Sequence, residues 1–186
     1  MKRLLVIILA VFMMSPTAFA MQVGKVTLPD SLTAGEDTLL LNGAGLRKKF
    51  IVKVYAGGLY LKQKDTDPVK IIDEDAPMAI RMHFIHDGVS SKKLVDGWNK
   101  GFMNGTGGNI APIQTEIDKF NAFFTEEAKK DDVYDIIYAP EQGISVYIKG
   151  ELKGIVKGLE FKKAVFAIWL GEKPADAKLK KGMLGQ

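Results

Sequence analysis

Apolar and polar or small residues alternate most clearly through residues 50–57, and the rest of the pattern is arranged around that stretch. Within GAGLRKKFIVKVYAGGLYL (residues 43–61), a glycine-flanked turn carries Arg47, Lys48 and Lys49 into a strand that starts at Phe50. Phe50, Val52, Val54 and Ala56 point one way, and Ile51, Lys53, Tyr55 and Gly57 the other. Gly57 and Gly58 predict a bulge or a close backbone approach, after which Leu59, Tyr60 and Leu61 resume the strand. So a bent central strand is expected, with Arg47 at its entrance and Tyr55 near its middle. Further strands are predicted over residues 21–28, ending at Pro29-Asp30, then 38–41, 78–86, 133–138, 144–148 and 152–156.

The period changes to helical in three places. Leu94, Trp98 and Phe102 recur every four residues behind Ser90 or Ser91, either of which suits an N-cap. Ile113, Ile117, Phe120 and Phe124 follow Pro112, a natural first helical residue. Phe161, Val165 and Ile168 follow Gly158; Gly171 then stops that helix, and Pro174 is expected to start a short basic one. Asp67-Pro68 predicts one helical turn in an otherwise polar segment. The last three strands have hairpin-sized connections. This order of strands and helices specifies an α+β fold, a large, largely antiparallel sheet with helices gathered over one face. No repeat or linker interrupts residues 21–186, so a single domain is expected there.

The opening twenty residues do not belong to that plan. Lys2 and Arg3 precede an apolar run from Leu4 to Met14, and Ala18-Phe19-Ala20 fits a small-x-small cleavage site. That run is too short to span a bilayer comfortably, so a cleaved signal peptide over residues 1–20 and a periplasmic location are expected. Loss of Lys2 and Arg3 lowers the formal charge from +4 to +2, and no dense basic tract remains for nucleic acid. The chain has no cysteine, which excludes disulfides and thiol chemistry. No later segment is long enough for a transmembrane helix.

Isolated motifs give little chemistry. His83 and His86 sit three apart on a strand and point to opposite faces, which rules out a shared metal. Ser90 and Lys93 match S-x-x-K without the companion motifs of serine acyltransferases, and helix capping accounts for Ser90. The glycines at 105, 107 and 108 follow a helix and lack a Gly-Lys-Ser/Thr ending, so they form a connector rather than a phosphate loop. No cofactor or metal is implied. Trp98 and Phe102 fit a core, or a core that also walls a cleft between helices and sheet.

Three stretches resemble the chalcone isomerase superfamily: KKFIVKVYAGGLYL its central strand, GVSSKKLVDGWNKGF the helix that follows, and GLEFKKAVFAIWLGEKP the ending of its bacterial exported branch. The resemblance covers nearly all of residues 21–186. It implies an open-faced β-sandwich, with helices layered on one face of a large antiparallel sheet. It also implies one of two activities. The family's enzymes close a flavonoid ring by intramolecular oxa-Michael addition, with an arginine on the phenolate and a threonine and a tyrosine placing water near the enolate. Related plastid proteins hold fatty acids, with an arginine on the carboxylate.

By this resemblance Arg47 corresponds to the family arginine, on a shorter loop, and Tyr55 occupies the strand position of the isomerases' threonine. The isomerases' tyrosine falls at Val89, which has no hydroxyl, and their asparagine near Asp96, with Asn99 the nearest amide. The expected ligand is therefore a fatty acid or similar amphipathic carboxylate. Arg47 is its clamp, Tyr55 a second donor, and Trp98, Phe102 and Asn99 are further contacts. An isomerase or intramolecular lyase acting through Arg47 and Tyr55 is the alternative, and a ligand-free envelope interaction protein a third.

Overall fold

The computed structural model describes residues 21–186; the predicted signal peptide lies outside the described residues. The chain enters through two three-residue strands, β1 (Met21–Val23) and β2 (Val26–Leu28), rather than one strand over 21–28. Gly24, at φ +68, makes the turn between them. Next come β3 (Ser31–Ala34) and β4 (Asp37–Lys49), whose thirteen residues replace the short strand expected at 38–41. The stretch read as a glycine-flanked turn is the second half of β4. The reversal occurs instead at Phe50 and Ile51, and β5 (Val52–Leu61) returns antiparallel.

Local signals then set the elements as expected. Asp67 caps α1 (Pro68–Asp73) by accepting from the Val69 and Lys70 amides. After β6 (Met78–Phe84), Ser90 caps α2 (Ser91–Gly105). A 3₁₀ turn (Ala111–Ile113) leads into α3 (Gln114–Asn121), and β7 (Val133–Ala139), β8 (Gly143–Ile148) and β9 (Glu151–Val156) follow. The chain closes with α4 (Leu159–Leu170) and α5 (Ala177–Met183). Helix α5 starts three residues later than Pro174 predicted, because Asp176 supplies its cap by accepting from the Lys178 and Leu179 amides.

Strands β3 to β9 form one seven-stranded sheet in sequence order, antiparallel throughout. The helices layer on one face. Its core includes Leu59, Ile80, Phe84, Ile136 and Val146 from the sheet and Trp98, Phe102, Phe120, Phe161 and Trp169 from the helical side. A smaller core of Leu28, Leu39, Leu41, Ala56 and Tyr60 lies on the other face, where β1 and β2 cover only the β4–β5 end. There Arg81 makes a bidentate pair with Asp135, both bonds 2.7 Å, directly across β6 and β7.

Gly57 and Gly58 are not a bulge; their register with β4 and β6 is unbroken, and the irregularities of β4 lie at Leu41/Gly43 and Arg47/Lys48. The close approach expected there belongs to α5, which lies across β4 and β5. A Cβ at Gly43 would collide with the Gly182 carbonyl, and one at Gly57 would come within 2.8 Å of the Met183 methyl. Small residues in β4 and β5 thus let a helix backbone rest on the sheet.

Candidate functional site

Arg47 and Tyr55 are cross-strand partners, directly opposite on β4 and β5. Opposite residues of an antiparallel pair point to the same face, so both side chains lie on the helical side. Beyond them the first turns of α2 stand away from the sheet and leave a cavity of about 370 Å³. That is within the range of small-molecule sites. Tyr55, Met82 and Phe84 form its floor, and Leu94, Gly97 and Trp98 its helical wall. Arg47, Lys49, His86 and Lys93 stand around the rim. The lining is mostly apolar, and the charged side chains at its rim are basic.

Arg47 is sheltered, its side chain 24% exposed. One terminal nitrogen donates to the Lys48 carbonyl and lies 3.6 Å from Asp176 Oδ2. That carboxylate is already occupied. Its Oδ1 accepts the Lys178 and Leu179 amides and its Oδ2 the Lys48 amide at 3.0 Å. Burial acts to raise the Asp176 pKa, but those amides together with Arg47 outweigh it and hold the carboxyl below the usual range. Asp176 therefore gives Arg47 charge and little hydrogen bonding, and most of the guanidinium's fork of donors remains unspent.

The Tyr55 ring is buried edge-on against Phe84, and its hydroxyl accepts from Trp169 Nε1 at 2.9 Å. Burial pushes the phenol up to about 12, with the Trp169 bond and Arg47 opposing it. At neutral pH the hydroxyl keeps its proton, and it has no acceptor for that proton among the described residues. The Trp98 indole N–H is likewise buried with no partner among them. The site thus brings together a cation, Arg47, and two neutral donors, Tyr55 and Trp98, with His86 at the rim.

Not every residue expected at the site is there. Arg47, Tyr55 and Trp98 line the cavity; Phe102 and Asn99 do not. Phe102, one turn beyond Trp98, is fully buried between Phe120 and Phe161. Asn99 follows Trp98, and the helical rotation turns it outward, where its carbonyl oxygen accepts from Asn121 at 2.7 Å. Val89 borders the cavity without a hydroxyl, and Asp96 lies outside it, paired with Lys92. Sequence reasoning missed Asp176 and Trp169, which fix Arg47 and Tyr55. An aspartate just ahead of a short helical run was a signal for the first; nothing local marked the second. Among the described residues no cluster of His, Asp or Glu is placed to hold a metal, and no helix is long and apolar enough to cross a membrane.

Comparison with known proteins agrees with this architecture. The crystal structure of a fatty-acid binding protein from Arabidopsis thaliana shares the fold with a TM-score of 0.70, at 19% identity, over 86% of this chain and 92% of that one. No curated protein matches the sequence. The family model described as chalcone isomerase-like matches residues 20–185. The chain belongs to the chalcone isomerase-like family.

Proposed function

We propose that this protein is a non-catalytic carrier of a fatty acid or a similar amphipathic carboxylate, working in the periplasm after loss of its leader. One observation carries the reading: Arg47, a guanidinium with unspent donors, and Tyr55, whose hydroxyl keeps its proton, line an apolar cavity of about 370 Å³. A carboxylate takes two charge-assisted bonds from Arg47, with Tyr55 as a third donor. The chain then gains roughly 0.8 kcal/mol for each methylene buried along Met82, Phe84 and Leu94. The Arabidopsis protein of the same fold is a fatty-acid binding protein, which agrees with this reading. Isomerase chemistry is disfavoured by Val89, which leaves the developing enolate without the hydroxyl that would hold water beside it.

Native mass spectrometry of protein taken from its own periplasm is expected to show a carboxylate-bearing lipid travelling with it. Delipidated protein should take up a fatty acid saturably, and Arg47→Ala should weaken that at least about tenfold, or 1.4 kcal/mol. Absence of saturable uptake ends the proposal. Turnover of a chalcone or related enone that is lost in Arg47→Ala would replace it with the isomerase reading.

A further inference from the structure

The hairpin that carries Arg47 ends in Lys48-Lys49-Phe50-Ile51-Val52-Lys53, and all six residues are exposed. Phe50 is 92% exposed and Ile51 95%, the most exposed large apolar side chains among the described residues. Neither neighbouring strand accompanies them: β3 pairs with β4 only as far as Leu40, and β6 with β5 only from Tyr55. The tip therefore projects beyond the sheet. The fold draws no packing from Phe50, and its backbone gains nothing either. Phe50 sits at φ 56, a left-handed position where two-residue hairpins favour glycine.

The side-chain charges of the tip itself are of one sign; the nearest carboxylate, Asp176 at its base, is taken up by the Lys48 amide, the α5 cap and Arg47. Lys48 and Lys53 face each other across the hairpin and Lys49 faces Val52. None of the three lysines has a carboxylate within ion-pair distance among the described residues. A basic groove adjoins the cavity rim, where Lys93, Lys100 and Lys173 stand near Arg47; its one carboxylate, Asp96, is neutralised by Lys92 at 2.7 Å. Two large apolar side chains held clear of the body and ringed by unpaired ammonium groups match an anionic bilayer surface. Apolar groups enter the acyl boundary there, while lysine heads stay among the phosphates.

We propose that the β4–β5 hairpin tip docks the protein on anionic lipid bilayers, with Phe50 and Ile51 inserted and Lys48, Lys49 and Lys53 on the phosphates. Lys49, Phe50 and Val52 also border the cavity mouth. Docking thus sets that mouth against the membrane, and an acyl chain passes between bilayer and cleft without crossing water. The surface works whatever the cleft carries, so docking and ligand uptake fail separately.

Delipidated protein beginning at Met21, whose residues make up the whole described fold, is sedimented with vesicles of phosphatidylcholine alone or with phosphatidylglycerol added. The expected result is partition onto the phosphatidylglycerol vesicles, weakened by salt. Phe50→Ser with Ile51→Ser should reduce it by about tenfold or more, and Lys48→Glu with Lys53→Glu comparably. Equal melting midpoints show that both double variants remain folded. No partition of the unaltered protein overturns the proposal even where fatty-acid uptake is intact. So does a double serine variant that partitions normally, or a concentration-dependent dimer that those serines abolish. Partition retained in a protein that takes up no fatty acid upholds docking and sinks only the carrier reading.

Discussion

The two ends of α2 carry aromatic residues on the same helical stripe, yet one end is sealed core and the other lines a cavity. Glycines placed four apart account for the difference. At Gly101 an added Cβ would lie 2.8 Å from the Ile168 side chain, and at Gly105 2.9 Å from the Ala167 Cβ, so α2 and α4 touch there almost backbone to backbone. At Gly97 nothing lies within 4 Å. The helices close at the Phe102 end and diverge at the Trp98 end. The stripe decides which face is buried; the partner's distance decides whether burial means packing or a wall.

The closed end should be intolerant of truncation. Phe102→Ala removes a fully buried ring wedged against Phe120 and Phe161, and should cost roughly 3–5 kcal/mol, measured as a loss of denaturant midpoint. The cavity lining contains no atom of Phe102, so whatever variant remains folded should keep its ligand affinity. A loss of affinity at unchanged stability would erase the distinction between the two ends.

The closed end also holds a buried cation. Lys162 is fully buried on α4, and its ammonium donates to the carbonyls of Ile71, Ile72 and Glu74, closing the C-terminal end of α1. Burial lowers its pKa from 10.5 to about 8, opposed chiefly by Asp75. Because the folded value is the lower one, the unfolded chain binds more protons between pH 8 and 10.5, and stability rises with pH across that window. Relative to Lys162→Met, which does not titrate, the unaltered protein should gain roughly 3 kcal/mol over it by denaturant unfolding. Parallel pH curves for the two proteins would mean that the lysine is solvated after all.

How much of this was legible in the sequence follows from which signals are local. The strands β6 to β9 and the buried stripes of α2 and α3 stand as their periods predict, because each pattern is fixed by the face its own residues present. Helix α4 is buried nearly all round rather than on the one face of Phe161, Val165 and Ile168, because α1, α2, α5 and the sheet pack about it. The second half of β4 was misread as a turn. Its glycines at 43 and 45 serve a helix more than 130 residues later in the chain, and a turn and a helix-bearing strand look alike at that range. Arg47 was found, but its pairing with Tyr55 depended on locating the hairpin turn at Phe50 and Ile51. Phe102 and Trp98 share one period and were therefore assigned one role; only the tertiary spacing of α2 and α4 separates them.

The smallest expected effects give the sharpest comparison, since they apply one chemical change at two places on one helix. Gly101→Ala puts a methyl against the branched stem of Ile168, itself buried, and should destabilise by about 1–3 kcal/mol through overpacking. Gly97→Ala enters open space in the middle of the same helix. The gain in helix propensity then stands unopposed and should stabilise by up to about 1 kcal/mol. Opposite signs in thermal melts confirm that α2 leaves α4 between these two glycines. A larger side chain in the same space, Gly97→Leu, should keep that stability and narrow the cavity, so fatty-acid uptake falls while the melting midpoint holds. Uptake that ignored the leucine would move the ligand out of this cleft, because Gly97 stands in its wall.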